Sequence, residues 1–314
     1  MIKHLKLICI LLCFTLPLAF FGGHKSMISS RSASRGNYFF EKTKNHLNLK
    51  KIVLKFPDNN TITITQNDSL WYIEEADGYF ASFAQINSFI KLIRDTVIYR
   101  SDVLLENQDQ KYFSEHLSIK TIDAEGHIVD DAKIAPKSDQ NKFHYALLNN
   151  TEFLYQIIGN FNLSSNPMDW VQMPLLALDY NHIKQIQSDS LYVYRPYVGS
   201  ELKIVNSEKE VPQMRGLMNN FWYLSAEEIR HAVHFNRKNY RLAKSFEIVF
   251  FNGLIYKLDI FNGNDEYWIS INLDRSMSIT PDAATFIKEN SMLYKGWYFR
   301  INHDIGHAIV SFIL

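Results

Sequence analysis

Cysteine is almost missing. Two occur in 314 residues, Cys9 and Cys13, and both fall in the first apolar run. From residue 14 onward neither a disulfide nor a thiolate zinc site can form. Glycine and proline are also scarce, at 12 and 8 residues, which excludes a collagenous or glycine-rich scaffold. Neither sign of charge is in excess: 33 basic residues stand against 33 acidic ones, so there is no basic surplus of the kind that holds nucleic acid. The chain has no glycine-rich phosphate loop and no Gly-x-Ser-x-Gly nucleophile turn. Beyond the first run, no stretch is apolar for long enough to be a second membrane span. No cofactor and no reaction are implied.

Apolar residues are plentiful. They make up 46% of the chain, including 22 Phe, 17 Tyr and 5 Trp, which rules out wholesale disorder and leaves room for a sizeable core. The run 7–23 holds no charged residue and follows Lys3 and Lys6. This is the pattern of a single transmembrane anchor or a secretory segment. A cut after Gly22 or Gly23 would place Phe20 or Phe21 where a small residue is needed, so the spacing favours an uncleaved anchor. The expected location is the inner membrane, in a single pass, with residues 24–314 extracytoplasmic; release to the periplasm after cleavage is the alternative. Residues 24–37 are small and polar and read as a spacer. Without residues 1–23 the chain carries 31 basic and 33 acidic residues, a mildly acidic body.

The body reads as α+β in two tandem related modules, 38–178 and 179–314, each an antiparallel sheet with one main helix. In the first, residues 52–56 and 61–65 alternate around Asp58-Asn59-Asn60 as a hairpin, and Leu70-Trp71-Tyr72-Ile73 adds a strand. A helix follows with Ile86, Phe89, Ile90, Ile93 and Val97 on one face. Hairpins over 117–134 and 143–158 come next. In the second module, 183–187, 191–194 and 202–205 are strand-like. A helix carries Met214, Leu217, Met218, Phe221 and Leu224. The strands 246–250 and 254–261 flank Phe251-Asn252-Gly253, 267–271 forms a further strand, and 282–289 is a short helix. The order recurs about 130 residues apart, with Ile52 matched to Ile183 and Trp170 to Trp297.

Three features carry a resemblance to a known family: the strand Leu70-Trp71-Tyr72-Ile73, the hairpin around Asp123–Gly126, and a closing element. The closing element is Asp169-Trp170, then Pro174-Leu175-Leu176-Ala177-Leu178, then Ile183 and Ile186. Together they resemble the bacterial DUF4340 domain family, mainly over residues 38–190. The step Tyr112-Phe113-Ser114-Glu115-His116-Leu117 lacks the glycine and proline common there. The resemblance implies a membrane-anchored extracytoplasmic protein, often associated with ABC-type transport and gliding-motility-like components. It implies no catalytic residues.

Few side chains stand out as a site. The stretch 227–234, read as a helix, would put Glu227 and His231 on one face with His234 nearby, a possible divalent-metal site without the zincin order. His303 and His307 flank Gly306 in what reads as a turn before a last strand. Trp222, Tyr223, Tyr267 and Trp268 are the candidate partner-interface aromatics. Trp71, Trp170 and Trp297 read as structural plugs. Asp130 and Asp131 are adjacent, so in a strand they point to opposite faces. The expected function is a non-enzymatic accessory or scaffold protein, partnered with the membrane through 7–23 and with transport-complex subunits. A binding module for an apolar small molecule or peptide, and a metal-dependent enzyme, are the alternatives.

Overall fold

A computed structural model describes residues 37–45, 48–103, 112–137, 142–149, 151, 153–173, 175–176, 178–205, 211–222 and 224–312. The run 7–23, Tyr223, Pro174 and Ala177 lie outside the described residues. Among the described residues no helix is long and apolar enough to cross a membrane.

The alternating sequences form strands as expected, and residues 79–80, 97–103 and 226–231 add strands that the sequence did not indicate. In the first half these are β1 (Leu49–Lys55), β2 (Thr61–Asn67), β3 (Leu70–Ile73), β4 (Tyr79–Phe80), β5 (Val97–Val103), β6 (Leu117–Asp123), β7 (Ile128–Ile134), β8 (His144–Leu148) and β9 (Phe153–Ile158). The second half holds β10 (Ile183–Ser188), β11 (Leu191–Tyr194), β12 (Lys203–Ile204), β13 (Ala226–His231), β14 (Arg241–Phe250), β15 (Leu254–Gly263), β16 (Glu266–Arg275) and β17 (Trp297–Ile301). The helices are α1 (Glu41–Asn45), α2 (Phe83–Asp95), α3 (Val211–Trp222), α4 (Pro281–Asn290) and α5 (His303–Val310). Period two is visible in β6, where Leu117, Ile119, Thr121 and Asp123 are buried and the residues between them are half-buried.

The strands make two antiparallel sheets with one plan. The first runs β4-β3-β2-β1-β6-β7-β8-β9-β5 and the second β12-β11-β10-β14-β15-β16-β17-β13. Leaving β4 aside, the two orders coincide strand for strand. In each half three strands form a meander, and a helix (α2 or α3) then carries the chain across to the far edge. A single edge strand is laid down there, and four more strands fill the gap. Even the irregularities correspond. The pairing of β1 with β6 slips between Leu49 and Lys51, and that of β10 with β14 between Ile183 and Gln185. The edge strands slip likewise, β5 between Ile98 and Arg100 and β13 between Ala226 and Glu228. Such bulges are fixed features of a sheet rather than noise.

The structure corrects several expectations. The bulges align Leu49 with Ile183, so Ile52 answers to Ile186. Trp170 lies in a 3-10 turn (Pro167–Trp170) after β9, whereas Trp297 opens β17, the counterpart of β9; the two tryptophans are not equivalent. Residues 226–231 form a strand, not a helix. Residues 303–310 form a helix, not a turn and a strand: Asn302 caps it by accepting from the N–H groups of Asp304 and Ile305. Gly306 is needed there because a Cβ would run into the Tyr267 ring. Val97 belongs to β5 rather than to the helix before it.

The described residues from Tyr38 to Phe312 form one compact unit with a continuous core that reaches from Phe39 and Phe40 to Ile309. The two halves meet where β4 abuts the edge of the second sheet. The Tyr79 ring packs edge-on against Trp297 (5.0 Å between centroids) and Phe299 (5.6 Å). The Tyr79 hydroxyl donates to the Leu293 carbonyl at 2.9 Å, and Tyr294 donates to the Leu175 carbonyl at 3.0 Å. Burial pushes the ionisation of Tyr79 well above the ordinary tyrosine range. At the N-terminal end, Tyr38 bridges Val97, and Thr43 of α1 is tied to Asp130 of β7.

Candidate functional site

Helix α2 is amphipathic. Ile86, Phe89 and Ile93 face the core at helical spacing, while Gln85, Ser88, Lys91 and Asp95 are exposed along the opposite stripe. Its N-cap is Ser82, whose backbone N–H donates to the Trp170 carbonyl at 2.7 Å. That bond ties the start of the helix to the irregular run 159–173 that follows β9.

The run 159–173 is long for a connection, and its own side chains hold it in place. Asn166 accepts from the Met168 N–H at 3.1 Å and caps the 3-10 turn. Ser164 donates to Asp169 at 2.5 Å and Ser165 to Asp58 at 2.7 Å. The Ser165 hydroxyl and then the Asn60 amide hold the Asp58 carboxyl below its ordinary range. The Trp170 indole N–H donates to the Ser164 carbonyl at 2.9 Å, and its ring meets Phe89 edge-on at 5.8 Å. Phe161 and Trp170 are buried, while Asn160, Asn162 and Asn166 stay exposed.

Between these elements lies a cleft of about 1220 Å³. One wall is the polar stripe of α2 and the other is the run 159–173. Ser225, Ala226 and Glu227, at the start of edge strand β13, form the rim contributed by the second half. The floor is apolar: Phe89, Leu92, Leu163, Met168, Trp170 and Met173. Its described ionisable groups are Lys91, Asp95, Asp169 and Glu227, an acidic balance with no histidine. Lys91 and Asp95 make no ion pair among the described residues. The arrangement offers amide and hydroxyl hydrogen bonds above an apolar floor, which is the chemistry of recognition.

Glu227, His231 and His234 do not come together as a metal site. In strand β13, Glu227 turns toward Asn302 and Arg300, with Asn302 Nδ2 donating to it at 3.1 Å. His231 packs edge-on against Trp297 at 4.9 Å. His234 Nδ1 lies 2.7 Å from Asp77, which also accepts the His231 N–H at 2.6 Å. These two histidines therefore join the halves rather than flank an ion. Among the described residues, the one group with metal-ligand spacing is Asp123, Glu125 and His127, at the β6–β7 turn. There the Asp123 carboxylate accepts the Glu125 and His127 N–H groups and shapes the turn.

Of the expected interface aromatics, Trp268 is fully buried and Tyr267 is 8% exposed, so neither offers a surface. Trp268 belongs to a cluster on the outer face of the second sheet, where Phe235 stacks on Tyr298 at 3.9 Å and on Tyr240 at 4.9 Å. Glu266 organises its polar edge, accepting from Tyr240, Trp268 Nε1 and Arg300. Partial burial opposes the ionisation of Glu266, but those bonds and the Arg300 charge outweigh it and hold the carboxyl below its usual range. Trp222 is 43% exposed at the end of α3. Trp170 and Trp297 are buried and Trp71 half-buried, all three packed into the main core. Asp130 and Asp131 do diverge: Asp130 is fully buried, while Asp131 pairs with Lys120 at 3.1 Å.

The cleft residues Gln85, Ser88, Lys91, Asp95, Asn160 and Asn162 were not singled out by sequence. Their signal was present in the polar stripe of the helix and in the alternation Asn160-Phe161-Asn162-Leu163. No family model, curated protein or solved structure matches this chain.

Proposed function

We propose that this is a membrane-anchored extracytoplasmic accessory protein without catalytic activity, which binds a subunit of a membrane transport complex through the cleft beside α2. Residues 7–23 are the anchor and 24–37 the tether. The body is two modules, related by duplication and akin to the DUF4340 family. The observation that carries the binding role is the cleft: large, walled by α2 and the run 159–173, and equipped for hydrogen bonding above an apolar floor. The shared strand order and the paired bulges support the duplication.

The test uses the full tagged chain in its native membrane, cross-linked and purified. The expected result is that the chain resists alkaline extraction and brings down one membrane partner, which the double variant Gln85→Ala/Ser88→Ala loses. A chain that is extracted by alkali, or that brings down the same proteins with and without those side chains, overturns the reading.

A second reading has its own observation. A pocket of about 200 Å³ lies between α2 and the first sheet, where Leu49, Ile52, Trp71 and Ile90 meet the polar side chains of Gln66 and Arg94. It would take a small molecule with an apolar body and a polar end. Native mass spectrometry of the purified chain should then show a bound species, displaced when Ile90→Phe fills the space; a bare mass counts against it.

A further inference from the structure

We infer that the cleft beside α2 binds an extended polypeptide segment with a basic side chain in it, an inference that rests on the accessory-protein reading and names the chemistry of its partner.

Size is the first argument. At about 1220 Å³ the cleft exceeds the range of about 300–1000 Å³ in which small-molecule pockets bury their ligands. Even a ligand that fills a pocket at the top of that range would leave part of it wet. The helix wall sets the length: the 13 residues of α2 span about 20 Å at the α-helical rise, which is the reach of about six residues of extended chain.

The lining is the second argument. An extended peptide presents N–H and C=O groups along both edges, and these must be paired when they leave water. Carboxamides and hydroxyls both donate and accept, and the cleft supplies them from both walls: Gln85 and Ser88 from the helix, Asn160 and Asn162 from the opposite run. Between the walls the apolar floor of Leu92, Leu163 and Met168 receives alternate side chains. A glycan is the natural competitor for such amides, but sugar rings are held by exposed aromatic faces. Here the lining rings, Phe89 and Trp170, are 2% and 4% exposed and are spent on the core.

Charge is the third argument. Asp95 faces the cleft from the last turn of α2 with no ion pair among the described residues, and Asp169 and Glu227 add to the same sign against Lys91 alone. Asp169 and Glu227 already hold Ser164 and Asn302, so Asp95 is the carboxylate left for a lysine or arginine of the ligand.

The test presents the detergent-solubilised full chain with a displayed library of random peptides of about twelve residues, long enough to cover the cleft. A panel of neutral oligosaccharides is run in parallel. The inference expects enrichment of peptides that carry a lysine or arginine among apolar residues. Gln85→Ala/Ser88→Ala should weaken a selected peptide roughly tenfold, the loss of two modest hydrogen bonds. Asp95→Lys should abolish the basic preference while peptides still bind. Circular dichroism and the melting temperature of each variant, all altered at exposed positions, should match the parent. No enrichment, enrichment unchanged in all three substitutions, or retention of oligosaccharides in place of peptides overturns the inference. Peptide binding in the cleft by a chain that brings down no membrane partner would sink the accessory reading and leave the inference standing.

Discussion

Single side chains decide how the N-terminal end is held. Asp130 is fully buried, and its carboxylate accepts from the Thr43 N–H at 2.9 Å, the Thr43 hydroxyl at 2.6 Å and Asn149 Nδ2 at 3.1 Å. Removing the carboxylate takes the acceptor from the buried Thr43 N–H and from the half-buried Asn149 amide, and leaves the Thr43 hydroxyl only Thr121, so Asp130→Ala should cost about 3 kcal/mol, while Thr43→Val, which removes one hydroxyl, should cost about 1–2 kcal/mol. Urea unfolding of the two variants checks the ranking. Glu266 makes a pH prediction. Its folded-state pKa is depressed, so the stability it contributes is fully present above the unfolded value and is lost as pH falls through the folded one. Glu266→Gln should therefore be destabilised near pH 7, with the gap to the parent closing as pH falls below the ordinary glutamate value of about 4.3. A melting-temperature series across that range reads it directly. Of these two networks the sequence disclosed only that Asp130 and Asp131 diverge. Which aspartate is buried depends on where α1 lands, 87 positions away along the chain, and no local pattern encodes that.

At the scale of elements, strands with alternating burial and hairpins with turn residues were legible, because their signals are local. Asn59, Gly126, Asn149 and Gly253 all take the positive φ that such turns require. Gly253 is further constrained, since a Cβ there would sit 2.6 Å from Ile279 Cα. Residues 226–231 and 303–310 were misread and β5 was missed, because tertiary placement overrode a weak local pattern. The sequence Ala226-Glu227-Glu228-Ile229-Arg230-His231 is composed like a helix, yet pairing with β17 makes it a strand. The sequence of β5 has little alternation, with Tyr99, Arg100 and Ser101 all exposed in succession. The cleft was illegible because it is a meeting of three segments rather than a motif. The junction of the halves is testable as an element. Asp77 accepts from both His231 and His234, so Asp77→Ala should free the segment after β13. Hydrogen exchange should rise over residues 231–240 and stay unchanged in β14 and β15; protection equal to the parent's at 231–240 would contradict that role.

The whole molecule is two sheets of one topology, and in each the edge strand is made well before its neighbour. The strand β5 pairs with β9, about 50 residues later, and β13 with β17, about 65 residues later. Long-range pairings of this kind carry a loop-closure cost and form late. Pulse-labelled hydrogen exchange during refolding should find the β1–β2 and β14–β15 hairpins protected first and both edge strands last. Protection of β13 together with β14 would contradict this order. The bulk of the two-sheet plan was present in the sequence as a recurring order of elements, but the far-edge placement of β5 and β13 was not, since only the later strands reveal the gap that the helix jumps. That delayed edge also has a consequence for assembly. Ser225–Glu227, the rim of the cleft, precedes and leads into a strand whose partner is Trp297–Ile301. During synthesis that rim stays unpaired until residues 297–301 emerge, whereas both walls of the cleft, α2 and the run 159–173, are made long before.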